Sequence, residues 1–132
     1  MSDTVLPNRD ETEGPVPTAW RPILCEMVTA IARGGFSMDG LPNVDPLDAG
    51  TIEQITSYLE DYGAELGAAV TLLPLPEETW TSSVAAWQGG DRWDVLVDLW
   101  TAQEGRSDLV LFARAFVDGR ETRFVACMIY VP

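Results

Sequence analysis

Residues 92–130 read RWDVLVDLWTAQEGRSDLVLFARAFVDGRETRFVACMIY. Apolar residues recur at every second position through most of this stretch, the period of a strand with one face buried. Two interruptions divide it. Glu104-Gly105-Arg106 is one, and Asp118-Gly119 is the other, a type I′ hairpin signal because both central residues of that turn need positive φ. Upstream, Gln88-Gly89-Gly90-Asp91 separates a further alternating run. The pattern predicts four strands, at about 80–88, 92–102, 108–117 and 122–131, and their short connections make neighbours antiparallel.

Alternation also sorts the side chains between two faces. One face takes Trp93, Val95, Val97, Leu99, Leu109, Leu111, Ala113, Ala115 and Val117, with Phe124, Ala126, Met128 and Tyr130 from the last strand. It is almost wholly apolar and is the expected core. The other takes Asp94, Leu96, Asp98, Trp100, Val110, Phe112, Arg114, Phe116, Glu121, Arg123, Val125, Cys127 and Ile129. A two-residue turn at Asp118-Gly119 would set Arg114 opposite Arg123 and Phe112 opposite Val125. A three-residue turn at 104–106 would set Asp94 and Asp98 diagonal to Arg114, with Asp98 and Arg114 coupled.

The chain before this ribbon has the helical period. Trp20, Ile23, Leu24, Met27, Val28 and Ile31 form one stripe, predicting a helix from about Thr18 to Arg33, capped by Thr18 and stopped at Gly34-Gly35. A second stripe, Ile52, Ile55, Leu59 and Tyr62, follows a Thr51-to-Gln54 capping box and ends at Gly63 as a left-handed cap. Residues 64–73 fit a short helix or a strand equally well. Residues 1–17, acidic and broken by Pro7, Gly14, Pro15 and Pro17, read as a loose tail. The expectation is an α+β domain over 18–132, with two N-terminal helices on one face of a four-stranded antiparallel meander.

Composition narrows the chemistry. The 132 residues carry 21 Asp plus Glu against 8 Lys plus Arg, a formal charge of −13. All eight cations are arginine, and the chain has no histidine. An internal Ser-His-Asp or Cys-His unit, an imidazole metal site and lysine Schiff-base chemistry are therefore excluded. The negative surface argues against nucleic acid, and no apolar run is long enough to span a membrane. Cys25 and Cys127 are far apart and read as two buried thiols of a reduced protein, with one disulfide left open. The start of the chain lacks a signal-peptide pattern, which points to the cytoplasm.

Candidate sites follow from the mixed face. Asp94, Asp98, Trp100, Phe112, Arg114 and Arg123 combine carboxylates, guanidiniums and aromatics, as a ligand or partner surface would. Trp87, just before the Gly-Gly turn, is the candidate exposed aromatic. The plainer reading of the same face is a charge-balanced, half-exposed sheet. Asp94 and Asp98 would stand about 13 Å apart, four residues at ~3.3 Å, too far to share a metal or act as a glycosidase pair. No catalytic residue, metal or cofactor is assigned, and Ser82 and Ser83 lack a histidine base.

The run from Trp93 to Thr101, continued by Glu104-Gly105-Arg106-Ser107-Asp108-Leu109, resembles an uncharacterised family of small bacterial domains. Tyr62-Gly63, Thr79-Trp80 and Trp87 are consistent with that pattern, which would cover most of 19–132. The family has no assigned activity, so the resemblance implies no catalytic residues. The order of helices then sheet is more weakly similar to cystatin-like and nuclear-transport-factor-like cone folds. In size and charge the chain also resembles immunity proteins that neutralise basic toxins. The leading expectation is a non-enzymatic acidic protein engaging a basic protein partner. The alternatives are a small-molecule pocket on the mixed face, with or without enzymatic activity, and a homodimer formed through it.

Overall fold

A computed structural model of the chain describes residues 13–119 and 121–132. Two helices and an antiparallel sheet make an α+β domain, with the sheet in the order β1-β2-β3-β4-β5. Its strands are β1 (Gly14–Pro15), β2 (Val84–Trp87), β3 (Arg92–Thr101), β4 (Gly105–Asp118) and β5 (Glu121–Tyr130). Four of these are the expected ones. The fifth, β1, lies in the stretch read as tail, where Gly14 pairs with Ala85, Pro15 with Val84, and Val16 is buried. The remainder of that stretch, residues 1–12, lies outside the described residues. The strand expected from residue 80 begins only at Val84, because Glu77–Thr81 close into a 3-10 turn after Pro76.

Helix α1 (Arg21–Ala32) follows a single 3-10 turn at Thr18–Trp20. Its start needs no side-chain cap from Thr18, since Pro22 in the first turn has no N–H to satisfy. Its stripe of Leu24, Met27, Val28 and Ile31 is buried against the apolar sheet face. Trp20 meets Trp93 and Phe124 edge-on, at ring-centroid distances of 6.1 and 5.7 Å. Trp93, Val95, Val97 and Leu99 are wholly buried beneath, beside Leu109, Leu111, Ala113 and Ala115.

Helix α2 (Ala49–Leu66) departs from expectation at both ends. Its cap is Asp48, whose carboxylate accepts from Thr51 N at 2.7 Å, so Thr51 lies inside the first turn. The helix runs through Gly63 and stops at Gly67, which takes the left-handed conformation at φ 80°. Gly63 is small for another reason: a Cβ there would lie 2.7 Å from the carbonyl oxygen of Ala68, where the chain folds back.

Helix α2 also guards a sheet edge. The Gln54 side chain donates to Ile129 O at 2.8 Å and accepts from Ile129 N at 3.1 Å, standing in for a neighbouring strand. Residues 43–45 cover more of the same edge, with Phe124 N bonded to Asn43 O and Asp45 N to Phe124 O. On the other side, Leu72 bridges to Thr101 where β2 does not reach.

Candidate functional site

The strand registers decide which of the expected site residues meet. Asp94 lies directly opposite Arg114, Leu96 opposite Phe112, and Asp98 opposite Val110. Asp98 and Arg114 share a face but are not partners. Arg114 Nε sits 3.6 Å from Asp94 Oδ1, an ion pair without a hydrogen bond, with its guanidinium 5.4 Å from the Phe112 ring centroid. Asp98 pairs instead with Arg106 at 3.3 Å and accepts from Ser82 Oγ. The expected register fails because the turn lies at 102–104, not 104–106, so Thr101 pairs with Gly105; extra β4 residues between Arg106 and Val110 take back only half of that shift.

The β4–β5 register is also corrected. The loop between Asp118 and Glu121 shifts the pairing by two, so Arg114 faces Val125 and Phe116 faces Arg123. Arg123 pairs with Asp45 and lies 4.5 Å over the Phe116 ring. A bulge then interrupts β5: Ala113 pairs with Ala126 but Phe112 pairs with Met128. One extra residue exchanges the faces. Ile129 therefore enters the core, while Met128 and Tyr130, expected inside, join the mixed face.

The outcome is a sheet face organised in cross-strand rows. Val84, Leu96, Phe112 and Met128 form an apolar row across β2 to β5. Asp94 and Arg114 stand on one side of it, and Asp98, Val110 and Tyr130 on the other. Leu96, Trp100, Phe112, Phe116, Met128 and Tyr130 are half-buried, whereas Val95, Val97, Leu99, Leu111, Ala113, Ala115 and Ile129 between them are buried. The helices pack on the apolar side, and among the described residues no helix packs on this one. A depression of about 220 Å³ beside Leu96 and Phe112 is shallow, below the roughly 300 Å³ usual for a small-molecule site.

Trp87 is not part of this face. It pairs with Trp93 on the core side, is half-buried, and donates from Nε1 to Gly90 O at 3.0 Å, closing its own turn. Asp98 is held firmly. Its backbone N–H donates to Ser83 Oγ at 2.9 Å, and its carbonyl accepts from Thr79 Oγ1 at 2.6 Å. Cys25 and Cys127 are free thiols, and burial raises the pKa of each. At Cys25 the nearby Glu77 and Glu26 add to that rise. At Cys127 burial outweighs the opposing pull of Arg114 and Arg92, so neither thiol is shifted toward a reactive thiolate. Among the described residues, no three metal-ligating side chains cluster.

A second feature was not foreseen, because Tyr62 reads as core stripe and Glu104 as turn. The Tyr62 hydroxyl lies 2.9 and 2.8 Å from the two Glu104 carboxylate oxygens and accepts from Asp108 N at 3.4 Å. Burial, then the Glu104 carboxylate, pushes the phenol up from its ordinary pKa. Beside it, Tyr58, Asp61, Tyr62, Glu65, Asp108 and Val131 line an open groove of about 370 Å³. The groove has five acidic or phenolic groups against one apolar residue, Val131, and no cation.

The chain belongs to the family of the domain of unknown function DUF7668, which matches residues 28–132. The matched part of the DUF7668 chain includes the whole open face from β2 to β5, and the α2 groove. No curated protein and no solved structure matches it. No helix among its described residues is long and apolar enough to cross a membrane.

Proposed function

We propose that this DUF7668 chain is a non-catalytic binding protein that engages a basic protein partner, in the manner of an immunity protein in a bacterial cytoplasm. The observation that carries the reading is the distribution of its charge. Helix α2 holds Glu53, Glu60, Asp61 and Glu65 with no cation, and it borders the groove walled by Tyr58, Tyr62 and Asp108. The open sheet face, by contrast, largely neutralises its own charges through Asp94–Arg114 and Asp98–Arg106. A lysine or arginine entering the groove meets carboxylates and aromatic faces together. The net charge of −13 steers such a partner from a distance.

The test is capture from an extract of the native host on immobilised protein, at about 0.05 M and about 0.5 M NaCl, with mass spectrometry. The reading expects a basic protein retained at low salt, released at high salt, and lost from the double variant Asp61→Arg, Glu65→Arg. Retention that ignores both salt and the double variant contradicts it.

A further inference from the structure

We propose that the open sheet face is covered by a second copy of this chain, related by a two-fold axis parallel to the strands and midway between β3 and β4. The inference is independent of the basic partner, which meets α2 on another surface. It rests on the pattern of rows. In such a face-to-face pair each position on β3 looks at its cross-strand neighbour on the partner's β4, and β2 looks at β5.

The pattern is self-complementary under that one operation. Leu96 and Phe112, directly opposite within one chain, would stack across the axis, and Val84 would meet Met128. Asp94 would face the second copy's Arg114, and Arg114 its Asp94, making a four-charge square of alternating sign. Arg106 would lie on Trp100, and Arg92 on Phe116, both cation-on-aromatic contacts. Asp98 would meet Val110 and keep its own ties to Ser82 and Arg106. A two-fold axis perpendicular to the strands fails, because it sets Asp94 against Asp98.

Sedimentation velocity on the full chain tests this, with circular dichroism confirming the fold of each variant. The wild type is expected to be a dimer. Asp94→Arg and Arg114→Asp should each weaken it about tenfold or more, because like charges then face each other across the axis. An equimolar mixture of those two variants should recover a dimer containing one of each, since every facing pair is again opposite in sign. A merely intramolecular ion pair predicts no recovery on mixing. Leu96→Gln should also dissociate the dimer, and it decides the matter if a charge variant does not fold. A wild type that stays monomeric at protein concentrations on the order of 100 µM overturns the proposal. So does a mixture that stays monomeric, or a dimer indifferent to Leu96→Gln.

Discussion

Tyr62 ties α2 to the β3–β4 turn through Glu104, and its hydroxyl makes a definite pH signature. The phenol's folded pKa is raised, chiefly by burial and then by Glu104. Its contribution is therefore complete below the unfolded value near 10 and is lost as pH rises through the folded one. Tyr62→Phe should lower stability by about 1 kcal/mol at neutral pH in urea unfolding. The deficit should shrink in the alkaline range, where the wild type loses the same bond. A deficit that holds constant with pH would mean the hydroxyl is not the group responsible. The residues of the sheet face were legible from alternation, but their partners were not. Asp94, Asp98 and Arg114 share a face as expected, yet a turn placed two residues early, only half offset by the extra residues in β4, set Arg114 opposite Asp94 and away from Asp98. A register is a tertiary choice that turn residues only constrain.

At the scale of elements, α2 shows what sequence period does and does not reveal. Its stripe predicted a helix, while its ends and its polar residues answered to neighbours. Gln54, read as half of a capping box, instead closes the β5 edge at Ile129. Gln54→Ala should cost about 1–3 kcal/mol, since it strands a part-buried N–H and C=O, and amide exchange at Ile129 should rise with it. If stability and exchange at Ile129 both stay at wild-type levels, α2 does not guard that edge. Gly63, read as the end of the helix, is a contact point in its interior. Gly63→Ala would ordinarily favour a helix, but here its Cβ meets the Ala68 carbonyl at 2.7 Å. The expected outcome is a loss of about 1–3 kcal/mol from overpacking, and a stabilised variant would disprove the close approach. Likewise the bulge near Cys127 exchanged Met128 and Ile129 between faces, which no alternation count contains.

The whole molecule has two exposed surfaces of different character. One is the groove along α2, acidic and phenolic, without a cation. The other is a sheet face with an apolar row between two ion pairs. The composition held the excess of acid and the lack of histidine, but nothing in it placed a run of carboxylates beside the Tyr58 and Tyr62 phenols. The helical period of α2 does so, with Asp61 and Glu65 on the groove. Salt should separate the two surfaces: screening weakens capture of a basic partner at α2, while it relieves the long-range repulsion between two chains of charge −13 and tightens self-association. A single footprinting series reads both surfaces at once. Hydroxyl-radical oxidation of the full chain, followed by peptide mass spectrometry over a range of protein concentrations, should show Met128 and Trp100 becoming protected as concentration rises, with Tyr58 and Tyr62 reacting unchanged. Protection of the two tyrosines, or Met128 oxidised equally at every concentration, would contradict this division of the surface.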